Sequence, residues 1–127
     1  MNMEKTKNTI CSPPMNAAAS PMARILSDVR WLMAQPRGSL VWMGTQRDLV
    51  EMVNIAWMQR AVIDSQGRPC TRKAMADRIF SVVGRPTPNH IARIVSRIGE
   101  RCSPDLSMLA RYARLAGERD IIHHFIK

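Results

Sequence analysis

With 127 residues, 46% hydrophobic and 23% charged, the chain has room for one domain with a modest core and none for a second full domain. Nineteen Lys and Arg against ten Asp and Glu leave a net +9, a balance that favours a polyanionic partner, because cationic side chains release condensed counterions on meeting phosphate. No apolar run approaches the roughly 18 residues needed to cross a bilayer, so a membrane span is excluded and no membrane partner is expected.

Residues 1–19 are rich in Asn, Ser, Pro and Ala, lack periodicity and contain Pro13-Pro14; they read as a disordered or loosely packed segment. They carry no apolar stretch of the kind a secretory signal needs, so a cytoplasmic protein is expected. Ser20-Pro21 opens a helix with Met22, Ile25, Leu26, Val29, Leu32 and Met33 on one face, ending near Gln35 before Pro36. Ser39 to Met43 is extended and is closed by Gly44. Thr45 caps the next helix, with Asp48 at its third position to complete a capping arrangement. Leu49, Val50, Val53, Ala56 and Trp57 make its inner face, the most apolar in the chain, so it is expected to be the central element. Val62-Ile63 leaves it as a short extended piece before the turn Asp64 to Pro69, and its pairing with Leu40-Val41 would supply a minimal sheet.

From Thr71 the pattern predicts two short helices joined by a corner. Thr71 is an N-cap, and Ala74, Met75, Ile79 and Val82 recur at helical spacing until Gly84. Arg85 and Pro86 turn the chain to Thr87, a second N-cap, so the following helix is expected to start at Pro88. In it Ile91, Ile94, Val95 and Ile98 form an apolar stripe, while Arg93, Arg97 and Arg101 fall four apart as a guanidinium row. Such a row is often only a solvated face, but the charge is concentrated here. Residues 70–102 carry seven positive and two negative side chains, against three and three in 41–69. A further helix is expected from Ser103-Pro104-Asp105 to Gly117. In the tail, Ile121, Ile122 and Phe125 either fold back on the body or bury against another copy.

The expected fold is therefore mainly α: a winged-helix-like helix-turn-helix bundle of about five helices with at most a minimal two-stranded sheet. It occupies residues 20–117 as a single domain and is followed by a tail, 118–127. The run from Leu40 to Gly117 also resembles the C-terminal domain of RteC, the regulator of excision in Bacteroides conjugative transposons. The residues that carry the likeness are Trp42 and Gly44, Asp48 to Glu51, Val62-Ile63, Ala76 and Phe80, Asn89, and the arginine-bearing helix leading to Glu100-Arg101. What the resemblance implies is a winged-helix DNA-binding module and a role in transcription regulation.

The resulting expectation is binding of double-stranded DNA. Asn89, His90, Arg93 and Arg97 would meet base edges in the major groove, and Thr71, Arg72, Lys73, Arg85, Thr87 and Arg101 would hold phosphates. The alternative is a protein-interaction or dimerisation module in which the arginine row is incidental; a homodimer is compatible with both. No enzyme is expected, since His90, His123 and His124 stand beside no nucleophile with a dedicated base. Cys11, Cys70 and Cys102 show neither CxxC nor Cys/His metal spacing, so no cofactor or metal is expected. Met52, Met58, Met75 and Met108 read as core filling, and Trp31, Trp42 and Trp57 as core anchors, with Trp31 the one surface candidate.

Overall fold

A computed structural model describes residues 19–100 and 104–127. Among them are five helices, α1 (Pro21–Met33), α2 (Gln46–Met58), α3 (Arg72–Val82), α4 (Ile91–Gly99) and α5 (Met108–Arg114), with two short 3-10 turns, Pro104–Leu106 before α5 and Ile121–His124 after it. The architecture is mainly helical. No extended pairing among the described residues exceeds an isolated bridge, Trp42 with Ile126 and Ile63 with Pro69.

α2 is the central element: α1, α3, α4 and α5 all rest on it. Its start is set locally, because the Thr45 hydroxyl accepts the Asp48 N–H at 3.0 Å while the Asp48 carboxylate accepts the Thr45 N–H at 3.2 Å. Leu49, Val50, Met52, Val53 and Ala56 are fully buried along it. α1 begins at Ser20, whose hydroxyl accepts the Ala23 N–H, and buries Ile25, Val29 and Leu32 against it. α3 adds Met75, Ala76, Ile79 and Phe80 to the same core.

Two helices stop by the same device. At the end of α3 the Arg85 N–H returns to the Phe80 carbonyl and the Gly84 N–H to Ser81, with Gly84 at φ +68°. At the end of α2 the Ala61 N–H returns to Ala56 and the Arg60 N–H to Trp57, but the left-handed position, φ +54°, is held by Arg60. An L side chain there costs about 1 kcal/mol that glycine avoids.

The extended segment after α1 does not pair with Val62-Ile63 as the sequence suggested. Leu40 instead gives its N–H to the Val82 carbonyl, and Val62 turns back on its own chain, accepting the Cys70 N–H at 2.9 Å across the Asp64 to Pro69 turn. The partner of the extended segment is the C-terminus: Met43 donates to Phe125 and Lys127 to Val41. Trp42, 1% exposed, stacks on Phe125 at 5.7 Å and donates its indole N–H to the Thr45 carbonyl. A Cβ at Gly44 would lie 3.0 Å from the indole nitrogen, which gives the Trp-x-Gly spacing a steric reason. The tail folds back: Ile121, Ile122, Phe125 and Ile126 belong to the core.

Three further expectations are corrected. The helix bearing the arginines starts at Ile91, not Pro88, and its N-cap is His90, which makes no side-chain capping bond. Pro86 and Pro88 push Arg85 and Thr87 away from helical conformation, and the helix does not start at Thr87-Pro88. The last long helix starts at Met108, because Ser107 takes the capping role through the Ala110 N–H. Met58 and Trp57, expected inside, are 65% and 38% exposed at the end of α2. Residues 1–18 and Arg101, Cys102 and Ser103 lie outside the described residues, and with them nearly all of the expected N-terminal segment.

Candidate nucleic-acid interface

α4 lies on α2 through the half-buried Ile91, Ile94, Val95 and Ile98 and turns Ala92, Arg93, Ser96 and Arg97 to the outside. Neither Arg93 nor Arg97 makes an ion pair or hydrogen bond to a described residue. The third arginine of the expected row, Arg101, is outside the described residues. Residues 83–90 link α3 to α4, a longer corner than the three or four residues usual between paired helices of this kind. α4 is accordingly carried by α2 rather than by α3.

An open groove of about 1170 Å³ separates the end of α2 from the start of α3 and the approach to α4. It gathers five of the residues singled out from the sequence, Thr71, Arg72, Lys73, Thr87 and Asn89. Arg72 is held ready there. Its guanidinium lies 4.6 Å from the centre of the Trp57 ring and donates to the Asn54 side-chain oxygen at 3.0 Å. Lys73, 81% exposed, pairs with Asp77 at 2.8 Å. The Lys73 ammonium, then the Thr87 hydroxyl, hold the Asp77 carboxyl below its ordinary range. The Thr71 hydroxyl is occupied in capping α3 through the Ala74 N–H. Four of the expected residues do not join this groove: Arg93 and Arg97 lie farther along α4, Arg85 gives its guanidinium to the Trp42 carbonyl at 2.9 Å, and His90 is exposed at the head of α4 without lining it.

Sequence reasoning passed over Arg60 and Arg68, which line the same groove. It also passed over a second depression, about 550 Å³, where Arg97 meets Arg47 and Arg111 at the start of α2. The reason is visible in the charge count. Residues 41–69 balance at three and three, yet Asp48 and Glu51 are 6% and 7% exposed. Asp48 is clasped by the Arg111 guanidinium, and Glu51 accepts the Met108 N–H at 3.2 Å. A segment neutral in sequence is thus cationic where it meets solvent. The signal available in the sequence was Arg60 itself, standing one residue past the helix end where glycine is favoured.

Several arginines serve the fold by binding neutral carbonyls. Arg24, 5% exposed, reaches Ala116, Glu118 and Arg119; Arg30 reaches Ala61; and Arg78 spans Met33 and Gln35. Because a carbonyl does not cancel the charge, these staples leave the positive field in place. Among the described residues no group of three His, Cys, Asp or Glu is arranged to hold a metal ion, and no helix is long and apolar enough to cross a membrane. His123 packs on Trp31, and His124 lies 3.3 Å from Glu118. Comparison with protein-family models, curated proteins and solved structures gave no match.

Proposed function

We propose that this chain binds double-stranded DNA, laying the outer face of α4 in the major groove. The observation that carries the reading is the pair Arg93 and Arg97, one helical turn apart, exposed and engaged by no described residue. Arginines used only to hold a fold are tied down, as Arg24 and Arg78 are. A guanidinium left in water on a helix presents a planar fork suited to guanine edges or phosphate. Asn89 and His90 stand at the leading end of α4 and extend that contact, and Arg72 and Lys73 hold phosphate beside it. Thr71, Thr87 and Arg85 have internal partners, which moves the weight of phosphate binding onto Arg72, Lys73 and, where the row continues, Arg101. In this reading α3 and α4 act as a winged-helix-like helix-turn-helix with a lengthened corner, and the role is transcription regulation on a mobile element of the RteC-like kind.

Replacing Arg93 and Arg97 together by alanine should weaken duplex binding in a mobility-shift titration by at least about tenfold, since each good base contact contributes about 1–3 kcal/mol. A double variant that binds as tightly as the parent at two salt concentrations removes α4 from the interface.

A further inference from the structure

The groove and the second depression lie at opposite ends of α2, with α4 between them. Trp57, Met58 and Arg60 line the first together with Asn89 and Ile91 from the head of α4. Thr45, Gln46 and Arg47 line the second together with Ile94 and Arg97 from further along it. α2 has 13 residues, so its ends stand about 20 Å apart at roughly 1.5 Å per residue. That span brackets a major groove about 12 Å wide together with its rims.

Both hollows carry more cation than they can neutralise. In the groove Asp77 is already taken by Lys73, leaving Arg60, Arg68 and the stacked Arg72. In the depression Asp48 is taken by Arg111, leaving Arg47 and Arg97. Arg60 adds a separate argument. Its left-handed backbone is where glycine would be cheaper, and the side chain kept there makes no bond to a described residue and lines the groove. A strained position retained for an otherwise idle cation points to a ligand for that cation.

Resting on the DNA-binding reading, we infer that the two hollows grip opposite strands of one duplex. Arg60, Arg68 and Arg72 hold the backbone of one strand, Arg47 holds the other, and α4 is straddled in the groove between. The occupant is phosphodiester in both cases, and the proposal assigns Arg47, Arg60 and Arg68 as phosphate-binding residues. Arg97, at the lip of the depression, then stands between base and backbone.

The test uses the full chain and two short mixed-sequence duplexes. One is natural and the other has every linkage of one strand replaced by neutral methylphosphonate. Arg47→Ala should bind the natural duplex several-fold more weakly and lower the slope of log K against log salt by about 1. On the half-neutral duplex it should match the parent, which can place only its stronger hollow on the charged strand. Arg60→Gly combined with Arg68→Ala should weaken binding to both duplexes, while the melting midpoint rises or holds because the left-handed position is relieved. Equal losses for Arg47→Ala on the two duplexes, or no loss on either, overturn the straddled arrangement while leaving DNA binding intact. A parent that binds neither duplex overturns the inference and the reading beneath it together.

Discussion

Asp48 and Asp28 are both carboxylates drawn into the body of the protein, and their surroundings push them in opposite directions. Burial alone would raise the Asp48 carboxyl, but the Arg111 guanidinium and the backbone and hydroxyl of Thr45 outweigh it and hold the group below its ordinary value near 3.8. At Asp28 burial prevails over the Tyr112 hydroxyl, which donates to it at 2.7 Å, and over Arg24, so its carboxyl is raised above that value. Tyr112, buried and facing Asp28, is pushed well above its ordinary range. The consequences for stability follow by linkage. What Asp48 contributes is complete above its unfolded value and is lost as pH falls through its depressed native value. What Asp28 contributes is greatest at acid pH and is lost as pH rises through its elevated native value. Urea titrations should therefore find Asp48→Asn destabilised at neutral pH by about 2–3 kcal/mol, a gap that closes on the acid side. Asp28→Asn should be more stable than the parent at neutral pH, again with the gap closing in acid. Two variants that shift the midpoint in the same direction, or by an amount independent of pH, would contradict these assignments. Half of this was legible in the sequence. The Thr45 and Asp48 capping pair is three residues apart and follows from local spacing, whereas Arg111 lies 63 positions away and nothing local announces it.

The helices themselves were readable wherever their ends are decided by neighbours in sequence. Thr45, Thr71 and Gly84 mark boundaries where they were expected, because capping and left-handed stops depend on a few adjacent residues. The start of α4 differs from its expected place because Thr87-Pro88 has the form of a cap followed by a first-turn proline, while Pro86 and Pro88 hold the residues before them out of helical conformation and the helix begins only at Ile91. The tail shows the same limit at larger scale. Ile121, Ile122 and Phe125 were recognisable as apolar, but only the fold shows them closing over Trp42 and Tyr112, with Phe125 stacked on both rings. Four buried side chains at about 1.5–3 kcal/mol each come to about 6–12 kcal/mol, the same order as the whole stability of a domain this size. Removing everything after Gly117 should accordingly leave a chain without a cooperative thermal transition. The milder Phe125→Ala should remain folded but lose about 3–4 kcal/mol. A truncated chain that melts at the parent's midpoint would show that the tail is not part of the core.

At the scale of the whole molecule, the net +9 is distributed by what folding buries. Carboxylates are drawn inward at Asp48 and Glu51, arginines are fastened to uncharged carbonyls at Arg24, Arg30 and Arg78, and of the cations left over Arg47, Arg60, Arg68, Arg72 and Lys73 line the two hollows beside α4. Composition could show the excess but not its location, which depends on which acidic groups find internal partners. The central claim is that this surplus meets the phosphates of a duplex, and the salt dependence of binding tests it most directly. Contacts from Arg47, Arg60, Arg68, Arg72 and Lys73 should give a linear fall of log K with log salt at a slope of about −4.5. A protein that binds duplex DNA with a slope near zero, or that does not bind it at low salt, would contradict the account.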